Sequence, residues 1–304
     1  MKNFLLFSGS SNKPLATDVA RILGIPLGKV DLTRFADGEI RPWIQEDVRD
    51  KTVFVLQSLS YDMDDHIMEL ALMGDAIRRS APKRMIAVIP YLGYARQDRQ
   101  HRVGEPVSAR VVAKFLEVSK FHEIITVDLH NDAIVGFFQI PVMHCSAMTL
   151  LADEVRKLHL SDMVVVAPDV GGVKRARNLA YALDVPLVVM EKKRFLDRHD
   201  TSETFQIIGD VKGKAAIIID DIISSGGTII NGSASLKEAG VASVTVLATH
   251  AVCSGDAFDS LARSSLTRLI ITDTISQNTR TLPAHTSVVS TASLLSEAIS
   301  TIIR

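Results

Sequence analysis

The stretch Ile217-Ile218-Ile219-Asp220-Asp221-Ile222-Ile223-Ser224-Ser225-Gly226-Gly227-Thr228 carries the clearest chemical signal in the chain. It reads as an apolar strand ending in two acids, followed by a turn of small residues that opens a helix. Backbone N–H groups from Ser224 to Thr228 can wrap a phosphate at the positive end of that helix, and glycines at 226 and 227 let an oxyanion approach without meeting a Cβ. Asp220 and Asp221 beside such a cradle suit the hydroxyls of a sugar. An ordinary turn with an N-capping serine or threonine has no need of two acids at a buried strand end, so the pattern favours a phosphosugar site.

Cations follow another apolar run. Glu191-Lys192-Lys193-Arg194 comes directly after Leu187-Val188-Val189-Met190, and the polar stretch up to Ser202 lacks a clear period. This predicts a flap carrying positive charge, suited to stabilising a transferring phosphoryl group by position and field. His130 follows the run at 123–127 and Asp169 the run at 163–167, so both stand at the carboxyl ends of strands, where α/β folds place ligands. No GxxxxGK[ST] phosphate loop occurs, and no serine sits in a nucleophile elbow. His66, His122, His144, His250 and His285 are read as packing or surface residues.

The elements that must position these groups are legible as alternating patterns. Short β-branched runs at 52–57, 85–90, 123–127, 163–167, 186–189, 215–219 and 243–247 predict strands buried on both faces. Helical spacing occupies 15–23, 67–79, 109–116, 148–158 and 229–239, with Gly24 and Gly240 placed to end the first and last of these. The class is therefore α/β with parallel sheets. A break near 141–146 divides the alternation into a domain at 1–145 and a second at 146–289. An apolar stripe of Leu294, Leu295, Ala298, Ile299, Ile302 and Ile303 behind a Ser290 N-cap predicts a closing helix over 290–304 that docks on the first domain.

Composition narrows the partners. Lys and Arg number 34 against 35 for Asp and Glu, a net charge of −1, so no broad basic field draws the chain to nucleic acid or anionic lipid. Apolar runs fall short of the ~18 residues a membrane helix requires. The N-terminal Phe4-Leu5-Leu6-Phe7 is too short for a signal peptide, and Cys145 and Cys253 have no metal or disulfide spacing, which fits a reducing cytoplasm.

The 217–228 segment resembles the 5-phosphoribosyl 1-pyrophosphate loop of type I phosphoribosyltransferases, and further motifs narrow the likeness. They are Phe7-Ser8-Gly9-Ser10-Ser11-Asn12, Arg34-Phe35-Ala36-Asp37-Gly38-Glu39, Met68-Glu69-Leu70, Tyr91-Leu92-Gly93-Tyr94-Ala95-Arg96-Gln97-Asp98-Arg99, Asp128-Leu129-His130, Gly136-Phe137-Phe138, Pro168-Asp169-Val170-Gly171-Gly172 and Thr272-Asp273-Thr274-Ile275. Nearly end to end, the chain resembles the ribose-phosphate diphosphokinase family. The resemblance implies two phosphoribosyltransferase-like domains with central, mainly parallel sheets flanked by helices. It implies transfer of diphosphate from Mg-ATP to the anomeric hydroxyl of ribose 5-phosphate, giving 5-phosphoribosyl 1-diphosphate and AMP.

The same likeness implies roles for individual residues. Phe35, Asp37 and Glu39 of a neighbouring subunit meet adenine, and Arg96 and Gln97 complete that ATP pocket; an aromatic face, a guanidinium and carboxylates are apt partners for a purine. Lys192 and Arg194 are the catalytic pair. His130 and Asp169 are ligands of Mg2+, and Asp220, Asp221, Ser224, Ser225, Gly226, Gly227 and Thr228 hold ribose 5-phosphate. A pocket shared between subunits implies a homo-oligomer, at least a dimer and up to a hexamer. Ser224 stands where many bacterial relatives carry an acid. Asp47 and Gly104 replace a usual serine and arginine at the family's regulatory phosphate site, although Arg49 and Arg102 remain. Two rival readings are a silent regulatory homologue, which intact Lys192, Arg194, His130 and Asp169 oppose, and a phosphoribosyltransferase, which has no use for the nucleotide motifs.

Overall fold

The computed structural model describes residues 3–193 and 204–304. The chain divides into two compact units: residues up to Ser146 with Thr274–Ser276 and Ser290–Arg304, and Ala147–Asp273 with Gln277–Val289.

The first unit runs β1 (Phe4–Ser8), α1 (Lys13–Leu23), β2 (Val30–Arg34), β3 (Ile40–Ile44), β4 (Thr52–Leu56), α2 (Met63–Arg79), β5 (Arg84–Ile89), α3 (Ser108–Val118), β6 (Glu123–Val127) and β7 (Val142–Cys145). Five of its strands form one sheet in the order β1-β4-β5-β6-β7, every pairing parallel. Val53, Val55, Met85, Ala87 and Ile89 are fully buried among α2 and α3 residues such as Leu70, Met73 and Leu116. Continuous apolar strands are what a sheet covered on both faces requires. α1 starts with the Asn12 side chain accepting the Leu15 N–H and ends on Gly24 in the left-handed conformation at φ 63°, as its sequence punctuation predicts. β2 and β3 form a separate antiparallel hairpin.

The second unit runs α4 (Met148–Arg156), β8 (Met163–Ala167), α5 (Val173–Leu183), β9 (Leu187–Lys193), β10 (Thr204–Ile208), β11 (Ala215–Ile223), α6 (Gly227–Glu238), β12 (Ser243–Ala251), α7 (Ala257–Ala262), β13 (Arg268–Thr272) and β14 (Thr286–Val289). Its sheet has the order β10-β9-β8-β11-β12-β13-β14, parallel throughout except for the antiparallel β9–β10 pair. Ile217 and Ile219 face Leu151, Ala176 and Leu179 on one side, while Ala216 and Ile218 join Ile229 and Leu236 on the other. The closing helix α8 (Ala292–Ile303) belongs to the first unit, where the Ser296 hydroxyl lies 3.5 Å from the Val19 carbonyl of α1.

Three features depart from the sequence expectation. β11 does not end at the acids. Its pairing with β12 continues through Ile222↔His250 and Ile223↔Ala251, so Asp220 and Asp221 lie inside a strand. The runs read from the sequence do not include α5, α7, the β2–β3 hairpin, β10, β13 or β14, and β7 occupies the segment read as the break between domains. Finally, Thr291 is the N-cap of α8, with Ser290 Oγ accepting the Ala292 N–H at 3.3 Å. Among the described residues no helix is long and apolar enough to cross a membrane.

Candidate active site

In the second unit the acids stand where one neighbour strand has run out. β8 pairs with β11 only as far as Ile218↔Val166, whereas β12 accompanies it five residues further. The β8 side of Asp220 and Asp221 is thus open to another partner, and Arg175 in the first turn of α5 takes that position. Its Nη1 lies 3.3 Å from Asp220 Oδ1 and 3.2 Å from Asp221 Oδ1. Successive strand residues ordinarily point to opposite faces. Asp220 escapes this because its Oδ1 folds forward to accept the Asp221 N–H at 2.9 Å.

One guanidinium therefore faces two carboxyl groups. Burial pushes the Asp220 carboxyl upward, the adjacent Asp221 pushes it further, and Arg175 pulls the other way without cancelling them. The pair holds a proton more readily than free carboxylates do, so it can both donate to and accept from hydroxyl groups.

The turn after the acids is fixed by its neighbour. Ile223 and Ser224 carbonyls accept N–H groups of Cys253 and Ser254 at 2.8 and 3.0 Å, which ties the loop to the segment leaving β12. Gly226 has φ 80° and is the N-cap of α6. A Cβ there would meet ordinary contacts near 3.5 Å, so conformation and not space demands glycine. Gly227, Thr228 and Ile229 form the first turn of α6, the positive end of that helix. Asp169 follows β8 and Pro168, and its Oδ1 accepts the Gly172 N–H at 2.8 Å just before α5. The Lys192 backbone lies in β9 opposite Phe205. The Lys192 side chain and the whole of Arg194 lie outside the described residues.

The first unit gathers the other set. Phe35, Asp37 and Glu39 occupy the tip of the β2–β3 hairpin, closed by Phe35 N–H to Glu39 carbonyl and Gly38 N–H to Phe35 carbonyl bonds, both 2.9 Å. The Phe35 side chain is 52% exposed, and the Arg41 guanidinium lies 5.5 Å from its ring centre. Arg96 is exposed, while Gln97 Oε1 accepts the Ser108 hydroxyl at 2.6 Å. Asn131 Nδ2 donates to Asp98 Oδ2 at 2.7 Å, bringing the Arg96–Gln97 loop beside His130. Asp47 Oδ1 accepts the Arg49 N–H at 3.0 Å.

Arg175, Asn131 and Arg41 were not singled out by sequence reasoning. Arg175 alone left a usable signal, a cation in the turn that follows Asp169-Val170-Gly171-Gly172. Burial pushes the Cys145 and Cys253 thiols up to about 11 and about 12, which leaves both poor nucleophiles.

A parallel α/β unit with an acid pair, a glycine turn and a helix N-terminus at one strand end defines a phosphoribosyltransferase-type domain, and residues 137–281 match the phosphoribosyl transferase domain family. Residues 4–119 match the N-terminal domain of ribose phosphate pyrophosphokinase. The chain is 45% identical over 302 residues to the ribose-phosphate pyrophosphokinase of Burkholderia pseudomallei, covering 99% of this chain and 94% of that one. It is 47% identical over 296 residues to that of Agrobacterium fabrum, covering 97% and 95%. The crystal structure of phosphoribosylpyrophosphate synthetase from Mycobacterium smegmatis superimposes with a TM-score of 0.92 at 38% identity, covering 99% of both chains. The chain belongs to the ribose-phosphate pyrophosphokinase family, and it is an enzyme of that class.

Proposed function

We propose that the chain transfers the terminal diphosphate of ATP to the C1 hydroxyl of ribose 5-phosphate. The hydroxyl oxygen bonds to the β-phosphorus, the bond from that phosphorus to the α,β-bridging oxygen breaks with its electron pair going to AMP, and the hydroxyl proton passes to solvent. The products are 5-phosphoribosyl 1-diphosphate and AMP. The observation that carries this reading is the acid pair held by Arg175 directly before the Ser224–Thr228 turn.

In this reading the turn binds the 5-phosphate through backbone N–H groups of Ser224, Ser225, Gly226, Gly227 and Thr228. Asp220 and Asp221 orient the sugar hydroxyls, one accepting while the retained proton donates. Arg96, Gln97 and a neighbouring subunit's Phe35, Asp37 and Glu39 hold ATP, which makes the working form a homo-oligomer, at least a dimer. The exposed hairpin tip is suited to reach a second copy. Lys192 and Arg194 meet the transferring group and stabilise the charge that spreads over its oxygens.

Among the described residues no three His, Cys, Asp or Glu side chains cluster as a metal cage. Magnesium asks for none: it keeps several waters and binds through few protein groups plus substrate phosphates. An imidazole and a carboxylate suit such a sparse shell, the roles the family resemblance gives to His130 and Asp169, and the Asp169 Oδ1 is oriented by the Gly172 N–H. When bound, the ion supplies charge neutralisation on the phosphate oxygens. We place the enzyme in the cytoplasm, where its substrates and reduced cysteines belong.

Phosphorus-31 spectra of ATP, ribose 5-phosphate and magnesium with the purified enzyme test the reaction. The expected new species are AMP and a sugar bearing two additional phosphorus atoms. Formation of ADP would mean that one phosphoryl group moves, and no turnover would favour a silent homologue.

A further inference from the structure

The turn that carries His130 is held from outside itself. Asp128 has φ 35°, a left-handed conformation that is uncommon away from glycine and that aspartate adopts more readily than most residues when its side chain is bonded locally. Three bonds from the end of β7 hold the turn. The Cys145 carbonyl accepts the Asp128 N–H at 2.9 Å, and the Ser146 hydroxyl donates to Asp128 Oδ1 at 2.8 Å. The third bond is made by a ring: His144 Nε2 lies 2.8 Å from the Leu129 nitrogen.

A backbone N–H only donates, so His144 Nε2 has to be the unprotonated nitrogen, and the ring proton of the neutral form sits on Nδ1. Nδ1 faces Asp132 Oδ1 at 3.6 Å, a distance that biases the ring toward this tautomer without forming a full hydrogen bond. Leu129 is buried, so its N–H needs an acceptor from the protein. On the other side of His130, Asn131 is fixed by its bonds to Asp98 and to the Ala133 N–H. His130 thus stands between two anchored neighbours, exposed itself.

We propose that His144 is a positioning residue for the reaction: by accepting the Leu129 N–H it fixes the 128–130 turn and so presents His130 to the nucleotide and its metal. The functional half of this proposal rests on the assignment of His130 under the proposed function. The hydrogen-bond half does not.

The test uses the full chain with His144→Met, of similar bulk but without a strong acceptor, and His144→Gln, whose Oε1 can replace the ring nitrogen. Hydrogen exchange at the Leu129 amide without ligands is expected to quicken roughly tenfold in H144M, the scale of one lost hydrogen bond, and to return near wild type in H144Q. The magnesium concentration giving half-maximal activity rises and kcat falls about tenfold in H144M, while KM for ribose 5-phosphate moves less than about twofold; H144Q restores both.

Unchanged Leu129 exchange in H144M overturns the anchor. Faster exchange with unchanged magnesium dependence and kcat overturns the positioning role. His130→Ala separates the two assignments: if it leaves manganese binding, read by electron paramagnetic resonance, at the wild-type level, the metal role of His130 fails, whereas the Leu129 exchange result still decides the anchor. Should H144M not fold, the nitrogen-15 spectrum of the wild-type histidine rings decides it, an Nδ1-protonated His144 supporting the bond and an Nε2-protonated one excluding it.

Discussion

The loop after β11 and the turn after β6 both leave the carboxyl end of a parallel strand, yet they are built from different material. Ser224 to Thr228 is held by main-chain bonds to Cys253 and Ser254 and shaped by one glycine at φ 80°. Asp128 to His130 contains no glycine and owes its shape to side chains and a carbonyl some fifteen residues onward, His144, Cys145 and Ser146. A cradle that offers backbone N–H groups to an anion has to be made of small residues, so its composition announces it. A turn that offers one side chain can be made of anything its neighbours will hold.

Five substitutions sharpen or break that contrast. The largest effect is expected at the proposed catalytic pair: Lys192→Ala and Arg194→Ala each lower kcat about a hundredfold, since a cation that meets the transferring group acts mainly on the transition state. Steady-state kinetics check it, and a raised KM at constant kcat would make these residues simple substrate binders. Arg175→Met comes next. It removes the guanidinium that lies within 3.3 Å of both Asp220 and Asp221 and is expected to cost about 2 kcal/mol in denaturant unfolding, less than a fully buried pair because Asp220 keeps partial contact with solvent. A backbone effect follows: Gly226→Ala forces a Cβ into the left-handed region at a cost of roughly 1–2 kcal/mol, and it weakens ribose 5-phosphate without touching a side-chain contact. Titration calorimetry reads the loss.

The smallest effect is a pH dependence. Burial and Asp221 raise the Asp220 carboxyl in the folded chain above its unfolded value of 3.8. Such a group favours folding most below the unfolded value, and the contribution is lost as pH rises through the higher folded one. Asp220→Asn removes this loss, so the variant should gain melting temperature relative to wild type between pH 5 and pH 9. A gap that does not widen with rising pH would mean that Asp220 is ionised at no cost.

The fold was legible wherever a strand is buried on both faces. The runs that became β4, β5, β6, β8 and β12 are dominated by β-branched and other apolar residues with few charges, the pattern of a strand covered on both faces. The hairpin was not, because Val30–Arg34 and Ile40–Ile44 are half-exposed and carry Pro42 and three arginines or aspartates between them. α5 hid for a related reason: it buries only Ala176, Leu179 and Ala180, too small a stripe to stand out from its arginines. In the site, the acids, the glycine turn and the histidine at a strand end could be read directly. Arg175 left only a cation after Asp169-Val170-Gly171-Gly172 as a trace, while Asn131 and His144 reach Asp98 and the Leu129 N–H across the fold, and no local pattern marks such contacts.

The central claim is that the sugar phosphate belongs to the acid pair and glycine turn of one unit while the nucleotide belongs to the loops of the other. Isothermal titration of ribose 5-phosphate and of a non-hydrolysable ATP analogue, each in magnesium, tests it on Asp220→Asn and Arg96→Ala. Asp220→Asn is expected to weaken the sugar phosphate about tenfold and the nucleotide hardly at all, with Arg96→Ala showing the reverse. Equal weakening of both ligands by either substitution would contradict the division.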